Sequence, residues 1–519
     1  MGEWDGVERI LILAGRQGMW GIRNRELMPL DGLVTLRNAS LEDSTWRTGA
    51  GAAIVGSAIG TVTIRDAVDF WVDPDTQRTL VSVSDGTLRR ANAAVDTWTT
   101  LASGLTTSGQ VPQWTVAGAE RLGQARKAFH CDRVNAVRVV AGDGATATVI
   151  ARPPEDWAGA NQPGWLALHP PHLWGGGNPN FPNAAYRSLA EDHEDFLTRR
   201  YVLFVPQRVR LAAGLPYKGG LLVWGDPEGV WWIDTRDPND ANWRVVQVGT
   251  PGAPGPRAVH AAEDDVLWID PQGGWHLISM TDPEGTPRAS DLSLPRLGAW
   301  FRDRVNRAEL LNAHLIWDGE RQKAELACAS VDQTTKNLRV VLDLARRRDV
   351  GERWYYWDRD RNEALFLRRV SGSLVPAFGD AAGRIWNLER AARTADGSGY
   401  TFEFYTRDTD LGEINPAFRG RRKNLRFLQL LYDGRSAGSL AIEVIRDGQR
   451  SQTVTFSLET GAQTLPLTLP FVLGADVMLS SAARRLVGQA TRVALRGIST
   501  VAGLDVSIAG MILGVELAA

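Results

Sequence analysis

The feature that most narrows what this chain can fold into is a hairpin that keeps returning: a short apolar strand, a Gly, Asp or Pro turn, then a second strand. It appears as RTLVSVSDGTLRRA (78–91), AVRVVAGDGATATVI (136–150), LLVWGDPEGVWWID (221–234), VLWIDPQGGWHLISM (266–280), AELACASVDQTTKNLRVVLDL (324–344) and LVPAFGDAAGRIWNLE (374–389). Such strand-turn-strand units are the pattern of antiparallel pairs. Turn centres fall near 86, 143, 228, 273, 334 and 382, with room for one more between 143 and 228. The interval, roughly 45 to 60 residues, is the length of a four-stranded propeller blade. Several hairpins are followed by a Trp-bearing segment suited to an outer strand: VDTWTTLAS (95–103), NWRVVQVG (242–249) and ERWYYWD (352–358). The expectation is an all-β chain with a β-propeller-like body of about seven blades. The repeats share pattern rather than sequence, so stacked sandwiches without a closed ring are the alternative. Helical periodicity is confined to LSLPRLGAWFRDRVNRAELLN (292–312), read as a connection between blades.

Tryptophan sets a boundary. None of the 20 tryptophans lies beyond Trp386, and only Pro416, Pro466 and Pro470 follow it. Ala-Asp-Gly-Ser-Gly (395–399) supplies a linker. Past it, YTFEFYT (400–406) and LAIEVIRDGQRSQTVTFSL (440–458) alternate at period two, with Asp447-Gly448 as a hairpin turn. Leu440, Ile442 and Val444 would face Val454, Phe456 and Leu458 in a β-sandwich. The division expected is an N-terminal segment over 1–65 pairing into the propeller, a propeller-like domain over 66–394, and a C-terminal β-sandwich over 395–519.

A net charge of −2 leaves no global basic field to draw the chain onto nucleic acid or anionic lipid. Two cysteines, Cys131 and Cys328, read as buried free thiols, which favours a reducing cytoplasm. Glu3 and Asp5 stand where an export signal would be basic, so none is expected. The longest uncharged run, between Arg47 and Arg65, is too short and Gly-rich for the roughly 20 apolar residues of a membrane helix.

The sequence contains no phosphate loop, no Gly-x-Ser-x-Gly and no His-Glu-x-x-His. Adjacent side chains on a strand alternate faces, so Glu191-Asp192-His193-Glu194-Asp195 reads as a solvated loop rather than a carboxylate or metal site. His130-Cys131 and the pair His169 and His172 lack the four ligands zinc requires. Hairpin tryptophans read as blade-to-blade packing with their N–H groups satisfied; a sugar platform is the alternative, with WGGGNPNFPN (174–183) as its place. No catalytic residue, metal or cofactor is expected. Two basic runs, Arg346-Arg347-Arg348 and RGRRK (419–423), read as solvated faces, with phosphate contact the sharper alternative.

Three stretches carry a family resemblance. They are GLVTLRNASLEDSTWRTGAG (32–51), then PPEDWAG (153–159) with HLWGGGNPNFPNAAYRSLAEDHEDF (172–196), and FEFYTRDTDLGEINPAFRGRRKNLRFLQLLYDGRSAGSLAIEVIRDG (402–448). Together they resemble propeller-containing tail proteins of tailed bacteriophages, in particular the nozzle (tail tube) proteins of short-tailed phages. The resemblance covers under a quarter of the chain. It implies a non-enzymatic virion protein of the tail, assembled in the bacterial host cytoplasm as a ring, commonly of six copies. Its partners would be the portal, the adaptor and other tail proteins, without membrane insertion, and genomic DNA would leave through the ring. Arg421, Arg422 and Lys423, with Arg346, Arg347 and Arg348, then become candidate subunit or DNA-channel contacts. The resemblance leaves open a tail-tip or hub protein of a long-tailed phage. Other readings are a carbohydrate-acting or carbohydrate-binding propeller, which calls for carboxylates converging at the central channel, and a cellular scaffolding or adhesion module.

Overall fold

The computed structural model describes residues 7–12, 17–20, 28–29, 31–42, 45–118, 125–198, 201–206, 208–280, 287–292, 297–345, 347, 351–358, 362–389, 393–458 and 480–518. The repeat expected from the hairpins closes on itself. Six sheets of four strands each, together with the first four strands of a nine-stranded sheet, form seven blades around one axis. Their innermost strands are Ile64–Trp71 (blade I), Gln113–Ala117 (II), Trp165–His169 (III), Arg210–Tyr217 (IV), Val259–Ala262 (V), His314–Asp318 (VI) and Ala364–Val370 (VII). Each packs beside the next, and that of blade VII returns to that of blade I.

Closure uses a strand from the other end of the propeller. Gly51–Val55, which precedes blade I, is the outermost strand of blade VII and pairs antiparallel with Ile385–Glu389, placing Ile54 opposite Trp386. All three Trp-bearing segments form outermost blade strands, Trp98–Ala102, Arg244–Pro251 and Arg353–Trp357. The turn at 143 joins the two outer strands of blade II, so it sits one turn away from the others. The equivalent of the rest joins Lys127–Cys131 to Arg138–Ala141 and is organised by Asp132, whose carboxylate accepts from the N–H groups of Val134 and Asn135. Blade III fills the gap toward 228.

Tryptophan explains how sheets without sequence identity share one packing. Trp165, Trp174 and Trp231 fill the space between blades III and IV, and Trp224, Trp232 and Trp268 that between IV and V. Trp275 meets Trp354 edge-on at 5.1 Å across blades V and VI. Each such ring removes a large apolar area from water. The N–H groups of Trp165, Trp174, Trp224 and Trp268 have no acceptor, contrary to expectation. The physical reason is that these rings sit in apolar inter-blade clusters, where the burial of the ring outweighs the unmade bond.

Beyond the propeller two sheets pack face to face. Phe402–Thr406, Val493–Ser499, Gly438–Arg446 and Gln449–Leu458 continue the nine-stranded sheet past blade VI; Lys423–Gly434, Val506–Leu517 and Ser480–Arg485 belong to the seven-stranded one. Leu440 stands opposite Phe456 and Ile442 opposite Val454, all buried, and Asp447 and Gly448 take positive φ in the turn. The N-terminal segment divides. Leu33–Arg37 lies between blade VI and Phe402–Thr406, while Glu8–Ile12, Ala39–Glu42 and Thr45–Thr48 extend the seven-stranded sheet. The helical stretch within 292–312 is Gly298–Arg304 plus a 3-10 turn over Arg307–Asn312, linking blades V and VI. Among the described residues no helix is long and apolar enough to cross a membrane.

Candidate functional site

In a propeller the innermost strands run the same way along the axis, so the loops entering them crowd one end of the channel. Here those loops enclose a cavity of about 520 Å³. Arg65 comes from the start of blade I, Arg257 from that of blade V, His314 from blade VI and Glu363 from the entry to blade VII; Lys336 comes from the turn between the second and third strands of blade VI. Behind the wall Asp66 is fully buried; its Oδ2 accepts from the Trp114 N–H at 2.8 Å and its Oδ1 lies 3.2 Å from Arg257 Nε. Burial pushes the Asp66 carboxyl up, against the pull of Arg257.

The remaining charges are incompletely matched. Lys336, 6% exposed, donates to the Asn312 carbonyl at 2.9 Å, and burial lowers its ammonium to about 8. Glu363, 8% exposed, has an Oε1 with no hydrogen-bond partner. His314 is buried and burial holds its imidazole well below the usual value, neutral while its Nδ1 accepts from the Leu365 N–H. Nothing in the sequence marked this cavity, because its residues come from seven separate segments of five blades.

The basic runs separate. Arg421 and Arg422 are exposed, but Lys423 is 1% exposed, and its ammonium donates to the carbonyls of Phe418, Arg421 and Thr491 at 3.0, 2.6 and 2.7 Å. That burial withdraws Lys423 from any surface contact with a subunit or DNA. Arg347 is exposed and pairs with Glu352 at 3.1 Å, whereas Arg346 and Arg348 lie outside the described residues.

The other candidates resolve into local structure. Within 191–195, Glu191 is exposed, Asp195 is buried against Arg152 at 2.8 Å, and Glu194 pairs with Lys127 at 2.9 Å. Among the described residues no group of three or more His, Cys, Asp or Glu could hold a metal. His130 packs at a tilt against Trp114, with ring centroids 4.9 Å apart, and Cys131 and Cys328 are buried free thiols. His169 bonds Thr235 and His172 bonds the Ser188 carbonyl beside a cavity of about 290 Å³. Trp174 is buried between blades, which removes it as a sugar platform; the aromatic that 174–183 exposes is Phe181, packed on Phe204.

No family model matches the sequence, and no curated protein matches it. Among solved structures the chain is similar to BamB from Moraxella catarrhalis, with 9% identity, 66% of this chain and 97% of that chain covered, and a TM-score of 0.39. It is also similar to YCF48 from Cyanidioschyzon merolae, with 11% identity, 66% and 99% covered, and a TM-score of 0.39.

Proposed function

We propose that this chain is a structural subunit of a bacteriophage tail, a nozzle-type protein without catalytic activity that assembles as a ring continuing the DNA-ejection channel below portal and adaptor. The observation that carries this reading is a pairing. Two of the three stretches that resemble nozzle proteins, 32–51 and 402–448, are remote in sequence yet lie side by side, with Leu36 opposite Phe404 and Arg37 opposite Glu403. A segment of the resemblance thus maps onto one contiguous body. Arg421, Arg422 and Arg347 are its exposed candidate contacts, with subunits or with passing DNA.

Mass photometry with negative-stain imaging of the purified chain, alone and mixed with a co-encoded portal-like protein, tests the reading. A closed ring with an open channel, alone or on mixing, supports it; a chain that stays monomeric and binds no such partner overturns it. The second reading, a carbohydrate-binding propeller, is favoured by the polar cavity at the channel mouth.

A further inference from the structure

We propose that the channel-mouth cavity is a binding site for a monosaccharide-sized sugar acid, whose carboxylate sits among Lys336, Arg65 and Arg257 and whose hydroxyls bond Glu363. This goes beyond the tail-subunit reading and does not rest on it, since the site lies within one chain.

Three observations carry it. First, the cavity has two deeply buried charged groups of opposite kind with hydrogen-bonding capacity left over. The Glu363 Oε1 accepts nothing, and Lys336 spends one N–H of three on Asn312. Among the described residues no ion pair joins them, so a molecule between them can bond both. Second, guanidinium N–H groups line the same cavity. Arg65 commits its Nη1 to Thr107 and Gln110, and Arg257 directs Nη2 to the Leu365 carbonyl and Nε toward Asp66, which leaves further N–H groups on each fork. Those forks suit a carboxylate, while Glu363 calls for a hydroxyl on the same molecule. A phosphate dianion would set a greater negative charge than a carboxylate's against Glu363 and Glu309 on the same wall. Third, the volume of about 520 Å³ is in the range of small-molecule sites, and much of the lining is Ser, Thr, Gln and Asn, which suits a hydroxyl-rich ring and offers no deep apolar pocket to a peptide side chain.

The test is calorimetric titration of the full-length chain with sodium D-glucuronate, with D-glucose and sodium acetate as controls lacking the carboxylate and the hydroxyls. Glucuronate should saturate, and glucose and acetate should each bind at least about tenfold more weakly. Glu363→Gln should weaken glucuronate about tenfold. Thr334→Trp, at an exposed position on the rim, should abolish binding while the melting temperature stays unchanged, which guards against misfolding of the buried variant. No saturable heat at about 10 mM glucuronate, equal binding of glucose, or full binding by Thr334→Trp would each overturn the assignment.

Discussion

The guanidinium carbon of Arg339 lies 4.0 Å from the centre of the Trp357 ring, and both side chains are fully buried. They belong to an ionic layer inside blade VI. Arg339 faces Glu325 at 3.5 Å, Arg321 bonds Glu325 at 3.1 Å and also pairs with Asp318, and Arg353 and Lys323 converge on Asp343 at 3.0 and 3.4 Å. Charges so far from water are tolerated only when every one has a partner.

Arg339→Ala is therefore expected to destabilise the propeller by about 3–5 kcal/mol, chiefly because Glu325 loses a cation in a dry site. The double variant Arg339→Leu with Glu325→Leu should cost less than the single one, since it removes both charges. Thermal melts followed by tryptophan fluorescence rank the two; a double variant worse than the single would show that shape, not charge, governs the layer.

Asp505 ties the sandwich to the N-terminal hairpin and to the connection after blade VII. It takes two 2.6 Å bonds from Arg47 and one of 3.1 Å from Arg393. Burial pushes its carboxyl up, but those bonds and charges outweigh burial and hold it below the usual carboxylate range. A lowered folded value means the stabilisation is complete above the unfolded value of about 4 and is lost as pH falls through the folded one. Urea midpoints of the native chain and of Asp505→Asn should differ at neutral pH and converge as the solution is acidified. A gap that stays constant with pH would contradict this.

Lys423→Met should lower sandwich stability by roughly 2–4 kcal/mol, because three carbonyls, that of Phe418 buried, lose one charged donor. Arg421→Ala with Arg422→Ala, both exposed, should shift stability by no more than about 0.5 kcal/mol. Ring assembly, read by mass photometry, should respond to the Arg pair if it forms a subunit contact.

Gly214 has no room for a side chain: a Cβ there would lie 2.2 Å from the Trp165 ring. Its φ lies outside the left-handed region, so the constraint is packing rather than conformation. Gly214→Ala should cost about 1–3 kcal/mol by wedging blades III and IV apart, seen as an earlier melt with a red-shifted tryptophan emission.

The hairpins were readable because turn chemistry is local. Asp270 and Asp380 each accept from the N–H groups two and four residues on through Oδ1, and from the side chain six residues on, His276 or Trp386, through Oδ2. The rows Leu440 to Val444 and Val454 to Leu458 were readable for the same reason, since period two is a local signal. The ionic layer was not. Lys323 and Glu325 alternate with Ala324 and Leu326 as on a half-solvated strand, and only the arrival of blade VII and the N-terminal hairpin covers them. Lys423 stood in a basic run that read as surface; its carbonyl partner Thr491 is remote in sequence. The channel-mouth cavity is non-local throughout.

The strand Gly51–Val55 leaves a ribosome long before its partner Ile385–Glu389, and Leu33–Arg37 must wait still longer for Phe402–Thr406. The ring cannot close until Ile385–Glu389 has emerged, and the sheet joined to it waits further, for Val493–Ser499. Nascent blades must persist with an open flank, at translation rates of about 5–20 residues per second, until the last segments emerge. A prematurely terminated chain would carry that flank permanently, which makes truncated products, rather than mature ones, the natural clients of chaperones and proteases.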